Sequence, residues 1–182
     1  MTSNSLPDAG QPASAGPARG WRGALAGLVG AACAGLLYTH IPEDEGMVQR
    51  GYLDISGVPT KCAGDTKNVV VGRNYSKAEC DESLGRALYD HAAPMLVCIP
   101  TLRTGPGETR PYETYAIVSL AYNVGVDAAC RSTAARHFRA RRWREGCLAL
   151  RRWVYDNGRR IRGLELRRDR EIQRCLWGSA AA

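Results

Sequence analysis

The chain has 182 residues, 45% hydrophobic and 24% charged, which suits one globular domain plus an extra segment and excludes a chain disordered throughout. The net charge is +7, and all but three of the 25 basic residues are arginine. Fifteen of those arginines fall between Arg131 and Cys175, against five acids. That stretch is either a surface for a polyanion (nucleic acid, anionic lipid or an anionic wall polymer) or a solvated helical face with i,i+4 pairs, and charge alone does not choose.

Residues 1–22 are rich in Pro, Ala, Gly and Ser and lack apolar periodicity, which predicts a disordered tail. Residues 23–38 carry no charge, and Arg19 and Arg22 precede them, which puts the N-terminus in the cytoplasm if the segment enters a membrane. A span needs about 20 apolar residues, reached here only by including Thr39, His40 and Ile41. Four glycines and five alanines among those sixteen residues make the segment weakly apolar. A cleaved signal peptide, a lipoprotein site at Cys33 and a buried soluble helix are alternatives. The favoured expectation is a weak, uncleaved signal-anchor over 23–41.

Between Gly51 and Val71, β-branched residues alternate with Gly, Pro and Asp, which predicts a small sheet that includes Val69–Val71. Ser76-Lys-Ala-Glu79 is a capping box; the helix behind it places Leu84, Leu88 and Met95 on one face, and Pro94 should end or kink it. A second helix should start near Pro111 and stop at Gly125. Three more are expected near 127–141, 145–157 and 164–176, the middle one capped by Gly158. The pattern is α+β: a small β-containing lobe, then a larger helical lobe.

The seven cysteines include no C-x-x-C pair, which argues against a zinc ribbon. Cys62, Cys80, Cys98, Cys130, Cys147 and Cys175 form an even set that fits disulfides in an oxidising compartment, or six buried thiols; their pairing is open. Cys33 stands apart, as a spare apolar residue or as one half of a later disulfide.

Cleavage of a sugar polymer needs a proton donor for the leaving oxygen and a second group for the water or cation opposite it. Glu45, Asp54 and Thr60 can supply these roles, with a helix-borne Glu facing a strand-borne Asp and Thr. Spacing alone does not separate them from ordinary surface residues. The flanking text does. Glu45-Gly46, Tyr52-Leu53-Asp54, Gly57-Val58-Pro59-Thr60 and Gly64-Asp65-Thr66 follow E-x8-D-x5-T and T-x-C-x-G-x-T, with Cys62 at the variable position. This resembles the phage lysozymes of glycoside hydrolase family 24, in the form carried by endolysins of lambdoid phages such as phage 21. The resemblance continues through Tyr122-Asn123-Val124-Gly125, Leu150-Arg-Arg-Trp153, Gly163-Leu-Glu-Leu-Arg-Arg168 and Cys175-Leu-Trp-Gly178, and covers roughly 42–178.

The resemblance implies a lysozyme-like fold over 42–178 and cleavage of the β-1,4 bond between N-acetylmuramic acid and N-acetylglucosamine. It implies Glu45 as general acid, Asp54 as the group serving the water or the cation, and Thr60 as a holder of that water. The glycine that follows selects Glu45 over Glu43 and Asp44. No cofactor or metal is implied. The partners are a peptidoglycan strand, the host secretion machinery and, through 23–41, the host inner membrane; no nucleic acid is expected, and the chain should be a monomer. Residues 23–41 resemble a signal-anchor-release segment, which holds the enzyme inactive on the membrane and then frees it into the periplasm. Some such endolysins carry a caged cysteine where Asp54 stands, so that caging cannot operate here in the same form. Only seven positions separate Tyr38 from Glu45, a reach of at most roughly 25 Å. The rival class is a non-catalytic cationic module that binds wall, lipid or nucleic acid.

Overall fold

The computed structural model describes residues 20–54 and 56–179; most of the expected disordered tail, residues 1–19, lies outside them. Two helices open the chain, α1 (Gly20–Val29) and α2 (Ala31–Glu45). A hairpin of β1 (Val48–Leu53) and β2 (Pro59–Cys62) follows, then the long α3 (Lys77–Cys98). The short pair β3 (Arg103–Gly105) and β4 (Glu108–Thr109) leads into α4 (Pro111–Val124). The rest is α5 (Val126–Arg131), α6 (Thr133–Arg139), α7 (Trp143–Ala149), the hairpin β5 (Tyr155–Asp156) and β6 (Arg159–Arg160), and α8 (Arg162–Ser179). The architecture is the expected α+β one, with a small β lobe and a larger helical lobe.

The core is built around α4, whose residues from Glu113 to Ala121 are all buried because α2, α3, α5 and α8 pack around it. A helix surrounded this way must be apolar on most faces, and Ala116-Ile-Val-Ser-Leu-Ala121 is. The first two helices complete that core. Leu25, Val29, Cys33, Leu37 and Ile41 are all at most 1% exposed, while Gly23, Ala24, Gly27, Ala31, Ala32 and Gly35 face solvent. The apolar stretch thus divides into a large-residue face turned inward and a Gly/Ala face turned outward. It breaks at Gly30 (φ 83°), a backbone conformation that favours glycine. The Thr109 hydroxyl donates to the Val29 carbonyl at 2.6 Å, satisfying an acceptor at the end of α1. Among the described residues, no helix is long and apolar enough to cross a membrane.

The six later cysteines pair as expected of an even set. Cys62–Cys80 ties β2 to α3, Cys98–Cys130 ties the end of α3 to α5, and Cys147–Cys175 ties α7 to α8. Each closes a loop of 18 to 32 residues, a size for which a cross-link contributes about 3–4 kcal/mol on the chain-entropy account. Cys33 is free and buried, and burial pushes its thiol pKa far up.

The capping box at Ser76, the helix start at Pro111 and its stop at Gly125 are where the sequence puts them. Other expectations need correction. Helix α3 does not end at Pro94 and runs on to Cys98. Val69 and Val70 are irregular and Val71 is in a turn, so no strand forms there. The stretch 127–141 is two helices, because Ser132 accepts a hydrogen bond from the Ala135 N–H and caps a new one. Helix α7 stops at Ala149, and Asn157-Gly158 turns the β5–β6 hairpin with two successive positive φ angles, 47° and 74°, the geometry of a type I′ turn.

One glycine in the β lobe has no substitute. Gly51 donates to the Arg73 carbonyl and accepts from the Gly72 N–H, so the 70–75 segment lies flat on β1. A Cβ at Gly51 would stand 2.2 Å from the Val70 carbonyl oxygen, which is backbone and cannot swing aside. Gly51→Ala is therefore expected to lower stability by at least about 1–3 kcal/mol, read as a drop in the urea midpoint. An unchanged midpoint would show that the 70–75 segment does not pack on β1.

Candidate active site

Glu45 is the last residue of α2. Gly46 ends the helix at φ 75°, where its N–H donates to the Pro42 carbonyl at 3.0 Å, and sends the chain into β1. The E-G pair is thus a helix end that only glycine makes without strain. The Glu45 side chain keeps 24% of its surface exposed, and its Oε1 accepts from Arg167 Nη1 at 2.5 Å.

Asp54 and Thr60 sit at the turn end of the β1–β2 hairpin. Leu53 pairs with Pro59 and Tyr52 with Thr60, so Asp54 is the first loop residue after β1 and not strand-borne as expected. Its Oδ1 accepts from the Ser56 and Val58 N–H groups, both at 2.8 Å, which locks the loop as an Asx-type turn. Thr60 is in β2 and buried; its hydroxyl donates to the Val58 carbonyl at 3.0 Å, which leaves its lone pairs as acceptors. Helix and hairpin thus present the three residues within one short stretch of chain, joined by Gly46 and Met47.

The neighbouring acids are held differently. Asp44 has a side chain only 1% exposed, and Arg170 bonds to it directly. Glu43 is exposed and hydrogen-bonded to His40 at 2.8 Å, with Arg174 at 3.5 Å; the His40 hydrogen bond lowers its carboxyl below the ordinary range.

Arg167 is the group that sequence reading did not single out. It is 5% exposed. Besides Glu45 it donates to Glu171 at 3.2 Å and to the Ser119 carbonyl at 3.3 Å. Glu171 is fully buried, accepts from the Ser119 hydroxyl at 2.6 Å, and pairs with Arg168 at 3.0 Å. Burial raises the Glu171 carboxyl pKa, and Arg168 and Arg167 oppose that shift. Tyr122 on α4 closes the other side. Its hydroxyl donates to the Ala63 carbonyl at 2.7 Å, three residues after Thr60, and it stands close enough to Glu45 for that charge to add to the burial that raises its pKa. The one signal for this network in the sequence is Arg167-Arg168 with Glu171 three and four positions on. A 480 Å³ hollow bounded by Trp21, Lys61, Asp65, Tyr75 and Glu82 lies elsewhere and includes none of the three candidates.

Glu171→Gln would leave Arg168 and Arg167 buried with less counter-charge. The expected cost is about 3–5 kcal/mol, measured as a fall in the denaturant midpoint. A loss under 1 kcal/mol, about the worth of an exposed pair, would mean the network is hydrated.

Residues 42–171 match the phage lysozyme family. The chain is 37% identical over 135 residues to the "SAR-endolysin" of Enterobacteria phage P21, across 74% of this chain and 78% of that one. It is 31% identical over 175 residues to the "SAR-endolysin" of Enterobacteria phage H19B, across 87% of this chain and 94% of that one. Among solved structures, the active form of the P1 phage endolysin Lyz aligns with a TM-score of 0.71 at 20% identity, over 88% of this chain and 92% of that chain, and shows the shared lysozyme-like fold. The chain belongs to the phage lysozyme family, and is accordingly a glycoside hydrolase of the muramidase kind, with peptidoglycan as its substrate.

Proposed function

We propose that the chain is an endolysin that hydrolyses the β-1,4 bond between N-acetylmuramic acid and N-acetylglucosamine, with Glu45 as the general acid. Arg167 fixes Glu45 Oε1, so the carboxyl is oriented by a buried group. Glu45 protonates the leaving oxygen; Asp54, whose Oδ1 is taken up by its own loop, uses its other oxygen on the water or the developing cation. Thr60 accepts a hydrogen bond from that water. Glu43 is turned to His40 and Asp44 is buried against Arg170, whereas Glu45 is the acid at the helix end that Gly46 makes, directly before the hairpin that carries Asp54 and Thr60.

We further propose that residues 23–41 are a signal-anchor-release segment and 42–178 the catalytic domain, with the enzyme held inactive on the host inner membrane after export and active in the periplasm after release. The observation that carries this reading is that α2 is one helix from Ala31 to Glu45. Cys33, Leu37 and Ile41, which a bilayer would hold, lie on the same rod as Glu45, at most about 18 Å away at 1.5 Å per residue. Glu45 reaches Arg167 when that rod lies on α4. The alignment with the H19B protein supports the reading too, since 87% of this chain is more than residues 42–182 alone can supply. A cleaved signal peptide fits less well. Removing the segment would strip Leu25, Val29, Cys33 and Leu37 from the core, at about 1.5–3 kcal/mol for each large aliphatic side chain.

Turbidity loss of a peptidoglycan suspension tests the catalytic assignment. Glu45→Gln is expected to slow clearing by about 10²–10⁴-fold, the usual worth of a general acid, with a lowered melting temperature because Arg167 keeps a hydrogen-bond acceptor and loses a counter-charge, and with the protein still folded by circular dichroism at the assay temperature. Clearing at the wild-type rate would sink it. The anchor is tested by Gly27→Leu with Gly35→Leu, solvent-facing positions where an added Cβ meets nothing within 4 Å. Each leucine favours lipid by up to about 1.5–3 kcal/mol. The membrane-bound fraction after depolarisation should therefore rise by roughly tenfold or more, while the purified double variant clears peptidoglycan normally. Release equal to wild type would contradict the anchor.

A further inference from the structure

The fifteen arginines between Arg131 and Cys175 fall into two sets. Arg167, Arg168, Arg170 and Arg174 are on α8 and pair with Glu43, Asp44, Glu45 and Glu171. The other eleven are all exposed, on the continuous stretch from the end of α5 to the start of α8. Arg131 pairs with Asp127, and Arg160 and Arg162 share Glu165. Among the described residues, Arg136, Arg141, Arg142, Arg144, Arg151 and Arg159 have no carboxylate within ion-pair distance. The first of the elements that bear them adjoin, α6 packing on α7 and Arg152 reaching from the turn after α7 to the Thr133 hydroxyl at 3.3 Å, and the β5–β6 hairpin with Arg159 follows directly in the chain.

A solvated helical face would answer its arginines with acids one turn away. Here the unpaired acids in the stretch are Glu145 and Asp156, so the surface repels itself until an anion covers it. Exposed apolar side chains stand in the same stretch: Tyr155 at 60%, Ile161 at 38% and Leu148 at 36%. Tyr155 lies opposite Arg160 across the β5–β6 ladder, and Ile161 directly follows that ladder. We infer that this surface docks the folded enzyme on an anionic lipid bilayer. Guanidinium forks match phosphate headgroups, and a Tyr with neighbouring aliphatics suits the headgroup–acyl boundary. A hydrated polymer would satisfy the arginines and leave Tyr155 and Ile161 without a partner. This contact is separate from residues 23–41, whose large side chains are buried in the core in this state, and it does not depend on the anchor reading.

The test is sedimentation of the full chain with vesicles of phosphatidylethanolamine and phosphatidylglycerol, or of phosphatidylcholine alone. Wild type is compared with the combined variant Arg144→Gln, Arg151→Gln, Arg159→Gln, and with Tyr155→Ser. All carry the same N-terminal segment, so differences report the arginine surface. At about 1 kcal/mol for each basic residue held at an anionic surface, the triple variant should bind the anionic vesicles at least tenfold more weakly. Tyr155→Ser should lose several-fold, wild type should bind phosphatidylcholine poorly, and high salt should release it. Both variants should keep the wild-type clearing rate on purified peptidoglycan, which also shows that they fold. Equal vesicle binding by wild type and the triple variant would overturn the proposal, as would equal binding to both lipids. So would a triple variant that holds lipid normally but clears peptidoglycan slowly, since the surface would then serve the wall polymer.

Discussion

Arg167 is buried where α2, α4 and α8 meet, and its charge has to be answered there. Bringing a guanidinium out of water costs several kcal/mol unless anions and hydrogen-bond acceptors replace the solvent. Glu171 and the Ser119 carbonyl supply part of that replacement from α8 and α4, and Glu45 supplies the rest from the end of α2. Arg170 and Arg174 repeat the pattern with Asp44 and Glu43. The end of α2 and the inner face of α8 are thus complementary strips of opposite charge. Neither has its partners unless α2 lies in place.

The same helix is bound a second time, by apolar packing. Leu37 and Ile41 lie in the core that α4 centres, a few residues before the acids that meet α8. Hydrophobic burial is not directional, whereas ion pairs with a planar guanidinium are. The first gives α2 its affinity for the domain and the second its axial register, which positions Glu45. The outward face of glycines and alanines adds little apolar area to what water must solvate. That is why a stretch without a single charge from Gly23 to Tyr38 can lie on a water-exposed surface, and why it is also a weak claimant on lipid.

Much of the frame was legible before any coordinates. Ser76, Pro111 and Gly125 act through local backbone chemistry, which sequence reports directly. Where reading failed, a longer-range fact decided. Pro94 removes a hydrogen bond from the carbonyl of Asp90, but Asp90 is exposed and water can take the place of the lost donor, so α3 continues. Asn157-Gly158 carried a hairpin signal that the helical pattern before it obscured. The three candidate residues were readable because they lie within sixteen positions along the chain, from Glu45 to Thr60. Arg167 was not, because its meaning arises from a contact 122 positions away.

That long contact alters what the E-x8-D-x5-T pattern stands for. Asp54 and Thr60 are set by their own hairpin, through hydrogen bonds that span no more than four residues. Their geometry exists wherever the hairpin folds. Glu45 has no such local support. One of its neighbours is a positive-φ glycine, and its carboxyl is oriented from α8. So two of the three groups are built in, and the third depends on where α2 goes. A domain made this way can fold its hairpin, close its three disulfides and still lack an oriented acid. On the proposed anchor reading, the apolar residues upstream choose between the core and another low-dielectric medium, and so set whether Glu45 meets Arg167. Control of the proposed kind would need no inhibitor and no covalent change at the site; it would need only that Glu45, the proposed acid, ride on a segment with two places to go.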